Sequence, residues 1–67
     1  MQLMVNGEAT QVNDATTLYD LIQTTHPNLE SGIAAAVNER VIRRNLWQQT
    51  LLNPNDSVEI LRAVCGG

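Results

Sequence analysis

The residues of this 67-residue chain that are best suited to chemistry lie at its C-terminus, where Gly66 and Gly67 precede the terminal carboxylate. A terminal carboxyl is ionised near neutral pH, so its oxygen can attack an activated phosphate. Because glycine has no Cβ, the pair could thread a narrow channel in another protein. No polar linker separates the pair from an apolar run, which argues against an ordinary frayed end; the run consists of Val58, Ile60, Leu61, Ala63 and Val64. The sequence therefore predicts that function resides at the Gly67 carboxylate.

Cys65 stands beside this end and allows two interpretations. Its thiol could form a mixed disulfide or persulfide, or attack the acyl group of its own tail. No Lys or His lies nearby in the sequence to stabilise the thiolate, so we favour an exposed spectator thiol. The chain has one Cys and one His, which allows no internal disulfide and no protein metal site of three or four such ligands.

The size and charge of the chain restrict its function class. A domain this short buries only about 60% of its unfolded surface, and with one Trp, one Tyr and no Phe its core must be mainly aliphatic. Such a core is too small to enclose a pocket of about 300 Å³, so we do not expect an enzyme. A net charge of −3 without Lys argues against nucleic-acid binding. The sequence shows no signal peptide and no membrane span, so we expect a cytoplasmic protein with protein partners.

The first half of the chain predicts a hairpin and a helix. Residues 2–5 and 8–12 flank Asn6-Gly7, a two-residue signal for a type I′ turn. Thr17 with Asp20 approximates a capping box ahead of apolar residues at helical spacing. The helix should end before Pro27, and His26 is then a loop residue.

The second half predicts further strands. Residues 33–37 and 40–42 form two strands around an Asn38-Glu39 turn, although the alanines at 34–36 would also suit a helix. Residues 44–52 should be irregular with one helical turn, held on the body by Trp47, Leu51 and Leu52. Turn residues 54–56 then precede a last strand, residues 57–64. We predict an α+β fold, a mixed sheet of four to five strands with one covering helix, in which the first and last strands can pair in parallel.

Strand alternation predicts a docking surface. Met4 and Leu61 have the parity opposite to the core residues, so they should form an exposed apolar patch on the outer sheet face, next to Arg62. Arg40, Arg43 and Arg44 could also contact acidic groups of a partner, although such clusters are usually only solvated.

Together these features resemble the β-grasp, ubiquitin-like family. Within it, residues 1–7, 17–21, 36–38 and 55–60, with Trp47 and the Gly-Gly end, are similar to the ThiS-like sulfur carriers over essentially the whole chain. The chain departs from their pattern at Arg43-Arg44, where Pro-Arg is common, and at Asn55, where Gly is common. The resemblance divides the chain into a β-grasp domain, residues 1–64, and a flexible tail, residues 65–67.

The resemblance implies a carrier whose Gly67 carboxylate is adenylated and converted to a thiocarboxylate, which donates sulfur to thiazole formation in thiamine biosynthesis. Gly66 and Cys65 would thread into the partner. The implied partners are a ThiF-like adenylating enzyme, a ThiG-like thiazole synthase and a sulfur donor such as a cysteine desulfurase. ATP and Mg²⁺ would be used by the activating enzyme, and the chain itself would bind no cofactor.

Other functions stay open. The chain could carry sulfur to molybdopterin or another metabolite, or be an ubiquitin-like modifier that forms isopeptide bonds to lysine. It could also be a regulatory β-grasp module that only binds partners, although the Gly-Gly end argues against this.

Overall fold

Five strands and one α-helix make up the part of the chain that the computed structural model describes, residues 1–27 and 32–62. In chain order they are β1 (Gln2–Val5), β2 (Glu8–Gln11), α1 (Leu18–Thr25), β3 (Ile33–Val37), β4 (Arg40–Ile42), a 3₁₀ helix (Arg44–Gln49) and β5 (Ser57–Arg62). The predicted strands and helix are confirmed. The sequence predicts a last strand that reaches residue 64, and residues 63 and 64 lie outside the described part.

The strands form one mixed sheet in the order β2-β1-β5-β3-β4. β5 is the central strand. It runs parallel to β1, with Val5 opposite Val58, and antiparallel to β3, with Ala35 opposite Ile60. The predicted parallel pairing of the first and last strands is therefore confirmed.

Residues with positive φ make the tight turns. Asn6 and Gly7 have φ values of 50° and 82°, as a type I′ hairpin turn requires. Asn38 and Glu39, at 51° and 70°, make the corresponding turn between β3 and β4. Asn55 has φ 69°, so an asparagine here fills a left-handed position that glycine would also suit.

The helix begins and ends where its capping residues predict. The Thr17 hydroxyl accepts from the backbone N–H of Asp20, and the Asp20 carboxylate accepts from that of Thr17, which completes a capping box. The helix ends at Thr25 with His26 as C-cap, directly before Pro27. Its apolar face packs on the sheet.

The core lies between the inner sheet face, α1 and the 3₁₀ helix. Its buried members are Leu3, Val5, Leu18, Leu21, Ile22, Ala35, Trp47, Leu52, Val58 and Ile60. The expectation that Leu51 packs with Trp47 and Leu52 is wrong, because the Leu51 side chain is 61% exposed. Leu51 forms an antiparallel bridge with Thr17, so this segment is extended and Leu51 and Leu52 point to opposite sides.

Candidate functional site

The candidate site is the end of β5 and the tail that follows it. Cys65, Gly66 and Gly67 lie outside the described residues, so their roles stay predictions. The described structure defines the base of the tail. Because β5 is hydrogen-bonded between β1 and β3, the tail continues from the most constrained strand of the sheet.

Asn6 holds β5 near its tail end. The backbone N–H of Met4 donates to the carbonyl of Asp56 at 2.9 Å, and that of Asn6 donates to Val58 at 2.8 Å. The next residue of β5 that faces this side is Ile60, but β1 has ended there. The Asn6 side chain replaces the missing backbone, since its Oδ1 accepts from the Ile60 N–H at 2.8 Å and its Nδ2 donates to the Ile60 carbonyl at 3.2 Å.

A buried carboxylate holds the other end of β5. Asp56 is 8% exposed. One of its oxygens accepts from the Asn38 side-chain amide at 3.0 Å and the other from the backbone N–H of Asn53 at 2.8 Å. The Asn38 Oδ1 in turn accepts from the Ser57 N–H at 2.9 Å. These bonds fix the start of β5 on the β3–β4 turn and satisfy the carboxylate with donors rather than with a cation.

The outer sheet face carries Met4 and Leu61, as alternation predicts, but not as neighbours. Leu61 is 61% exposed, while Met4 is half-buried. Met4 lies opposite Ser57, so Leu61 is four residues further along β5, about 13 Å away. The expectation of one patch formed by these two side chains is wrong. It failed because alternation gives the face of a residue and says nothing about the register between strands.

The apolar neighbour of Leu61 on this face is Ala34, on the other side of β5, and the face continues to Val41 on β4, about 12 Å from Leu61. Ala34 pairs with Leu61, and on the same face Ala36 pairs with Val41, whose side chain is 75% exposed. We call these four residues the outer apolar patch; the exposed Glu59, which pairs with Ala36, lies on the same face beside them. The predicted docking role of Leu61 stays a prediction, now with β3 and β4 as its surroundings.

Arg44 lies over the ring of Trp47, with its guanidinium carbon 5.7 Å from the ring centroid. Trp47 is itself fixed, because it is 1% exposed and its Nε1–H donates to the Ile42 carbonyl at 2.9 Å. From the sequence we expected the Arg44 side chain either to be solvated or to contact a partner, and this contact within the chain is a different role. The spacing of Arg44 and Trp47, three residues apart in a helical turn, was the signal for it.

A groove of about 320 Å³ lies between the β3–β4 hairpin and the segment that follows the 3₁₀ helix. Its walls are Val37, Asn38, Arg40, Ile42, Thr50, Leu51, Asn53 and Asp56. The volume is larger than the composition suggests. The groove is open along one side, however, and its wall residues Arg40, Leu51 and Asn53 are exposed, so it does not enclose a ligand.

The described residues show no other reactive cluster. Within residues 1–27 and 32–62, no group of three or more His, Cys, Asp or Glu side chains is placed to hold a metal ion. No helix in the same ranges is long and apolar enough to cross a membrane. His26 is half-buried at the end of α1. The candidate site thus consists of the tail, its base on β5 and the surfaces around that base.

Comparison with known proteins shows which family the chain resembles. The model of the ThiS family matches residues 3–67. The sulfur carrier protein ThiS of Escherichia coli (strain K12) is 25% identical over 67 residues, covering 100% of both chains.

Solved structures give the same result for the fold. The crystal structure of the thiamine biosynthesis protein ThiS from Geobacter metallireducens superposes with a TM-score of 0.82 at 26% identity, covering 100% of both chains. An NMR structure of a thiamine biosynthesis protein from Geobacter metallireducens gives a TM-score of 0.77 at 25% identity, over 100% of this chain and 88% of the other. The predicted β-grasp fold is therefore confirmed, and so is the expectation of a small carrier protein rather than an enzyme. The chain belongs to the ThiS family.

Proposed function

We propose that this protein is a sulfur carrier of thiamine biosynthesis whose Gly67 carboxylate is adenylated and then converted to a thiocarboxylate. One observation carries the proposal: the family match runs from residue 3 to residue 67, so it includes the Gly-Gly tail as well as the domain. The similarity to the ThiS protein of Escherichia coli, which also spans the whole chain, supports it.

The chemistry needs no catalytic side chain from the carrier. A carboxylate oxygen of Gly67 attacks the α-phosphorus of ATP, and pyrophosphate leaves. The resulting acyl adenylate is an acyl donor, so a sulfur nucleophile can displace AMP. ATP and Mg²⁺ belong to the ThiF-like activating enzyme. A cysteine desulfurase supplies the sulfur as a persulfide, whose outer sulfur displaces AMP to give an acyl disulfide; a thiol then reduces this disulfide, which releases the thiocarboxylate and forms a new disulfide. A ThiG-like thiazole synthase accepts the sulfur. We place these steps in the cytoplasm.

The base of the tail suits this role. β5 is held by β1, β3 and the Asn6 amide up to Ile60, two residues before the end of the strand. The body can therefore present the tail from a fixed position while Cys65, Gly66 and Gly67 enter the enzyme. Leu61 and Ala34 of the outer apolar patch lie beside the same strand end, where an enzyme that holds the tail would contact them.

Intact-mass spectrometry tests the proposal. The protein is incubated with its cognate activating enzyme, Mg-ATP and a sulfur source. We expect a mass increase equal to the difference between one sulfur and one oxygen atom, located at Gly67 by fragmentation. Two matched controls, deletion of Gly67 and addition of one residue after it, should show no increase while they stay folded, because a chain end contributes little packing.

The outcomes separate the candidate functions. A thiocarboxylate whose sulfur enters thiazole in the presence of the thiazole synthase supports the proposal. A thiocarboxylate that transfers sulfur only to a molybdopterin precursor would refute the thiamine role. An isopeptide bond between Gly67 and a target lysine, without thiocarboxylate, would refute sulfur transfer and indicate a protein modifier.

A further inference from the structure

The arginines of this chain concentrate at the end of the sheet where the tail begins. Sheet register establishes this. Ile42 on β4 lies opposite Ala35, and Ala35 lies opposite Ile60, so β4 and β5 end on the same side of the sheet. Arg43 and Arg44 directly follow β4, and Arg62 ends β5.

These three arginines, which we call the basic rim, are close to one another in the fold. β4 and β5 are separated by one strand, which corresponds to about 10 Å between their axes. All three side chains are exposed, and none makes a salt bridge with a residue in 1–27 or 32–62. The contact of Arg44 with the fixed Trp47 ring holds one guanidinium in place.

Three acidic side chains lie toward the opposite end. Glu39 is in the β3–β4 turn, Asp56 precedes the start of β5, and Asp14 pairs with the N-terminal ammonium at 3.5 Å, beside the start of β1. The whole chain carries seven acids against four arginines and no lysine. Two other described acids lie nearer the tail end: Glu59 is on the outer face of β5, and Glu8 is opposite Val5 on β2, at the sheet edge far from β4. The basic rim is thus a local group of three cations on the β4–β5 side of an otherwise acidic molecule.

We infer that the basic rim guides the tail into its activating enzyme by binding an acidic surface at the mouth of the adenylation site. An orienting field of this kind raises association rates about 10-fold to 1,000-fold and weakens with salt. The inference rests on the proposed function, since it requires an enzyme that receives Gly67. It adds the partner's surface chemistry and the residues that meet it.

The experiment measures association by stopped-flow fluorescence between the full chain and the ThiF-like enzyme, without nucleotide, at several salt concentrations. The test variant is Arg43→Gln with Arg62→Gln, which leaves the Arg44 contact with Trp47 intact. The matched control is Arg40→Gln with Arg43 and Arg62 unchanged. Arg40 is exposed and lies opposite Val37, which itself pairs with Val58, so it lies toward the start of β5.

We expect the rim variant to associate at least about ten times more slowly than the parent at low salt, with a shallower salt dependence, and the Arg40 variant to lose less than about twofold. If the rim and control variants lowered the association rate by the same factor for each charge removed, the effect would be one of net charge only, and the inference would be overturned. So would an unchanged rate, or failure of the parent to bind this enzyme.

Two further measurements distinguish binding to an acidic surface from misfolding and from phosphate binding. Melting temperatures establish that both variants are folded. The same rates in the presence of Mg-ATP test whether the arginines meet nucleotide phosphates; a rim effect that appears only with nucleotide would overturn the proposed acidic surface. Because binding is measured without catalysis, a parent that associates as expected but forms no thiocarboxylate would refute the proposed function and leave the rim in place.

Discussion

Replacing Asn6 should destabilise this protein more than its exposed position suggests. The side chain makes the two hydrogen bonds to the backbone of Ile60 that a longer β1 would have made, and it sits at φ 50°. Asn6→Ala removes both bonds and leaves an alanine in the left-handed region, without the polar side chain that helps asparagine to adopt it. The backbone N–H and carbonyl of Ile60 then lose their partners in the protein and must be hydrogen-bonded by water.

The magnitude follows from these two effects. Each hydrogen bond contributes about 1 kcal/mol net, and a left-handed conformation costs a residue such as alanine about 1 kcal/mol or more. We expect a loss of about 2 to 3 kcal/mol in the free energy of unfolding. For a domain of this size, 1 kcal/mol corresponds to about 4 to 8 °C, so the melting temperature should fall by about 10 to 20 °C.

Urea denaturation of three variants tests this reasoning. Asn6→Gly removes the two bonds but accepts the backbone conformation, so its loss should be smaller than that of Asn6→Ala by about 1 kcal/mol. Asn13→Ala, at another exposed asparagine, should stay within about 0.5 kcal/mol of the parent. Hydrogen exchange at the Ile60 amide should accelerate in both Asn6 variants. An Asn6→Ala protein as stable as the parent, with Ile60 still protected, would refute the role given to this side chain.

Three further predictions concern the patch, the backbone and the thiol. Leu61→Glu should leave the free energy of unfolding within about 0.5 kcal/mol of the parent. In titration calorimetry it should bind the activating enzyme more weakly, because binding would bury an unpaired carboxylate. The control Leu51→Glu, at a side chain that is equally exposed at 61%, should bind as the parent does. Ala15 has φ 64° and is exposed, so Ala15→Gly should raise the free energy of unfolding by about 0.5 to 1 kcal/mol, and a loss on urea denaturation would contradict this. Cys65→Ser should form thiocarboxylate at an unchanged rate; a large fall with the protein still folded would show that the thiol participates.

Local signals explain why the elements could be predicted from sequence. The Asn6-Gly7 turn and the Thr17–Asp20 capping box depend on residues that are adjacent or three apart, and both have the predicted geometry. Alternation along β5 correctly assigned its inner and outer faces. In each case the determining contacts lie within one element or one turn, so the chain order already contains the information.

The features that could not be predicted depend on contacts between segments that are distant in the sequence. The offset between Met4 and Leu61 depends on how β1 and β5 align, which alternation within each strand leaves undetermined. The exposure of Leu51 depends on its bridge to Thr17, 34 positions earlier in the chain. The hydrogen bonds of Asn6 reach Ile60 across 54 positions, and they exist because β1 ends at Val5, two positions before the one that would pair with Ile60. Such contacts are set by the packing of distant segments, so a single sequence indicates the residue and not its partner.

The length of the tail also separates the residues that would react from the residues that a partner enzyme would recognise. Five residues follow Arg62, and fully extended they can span at most about 17 Å. An enzyme that holds Gly67 in its adenylation site must therefore bring its outer surface close to the end of β5. There it meets Arg62 and Leu61, and, one strand away, the residues that follow β4. Under the proposed function, Gly66 and Gly67 offer no side chain for discrimination, so we expect selection among carriers to depend mainly on these body surfaces, and substitutions there should change the choice of partner before they change the reaction at Gly67.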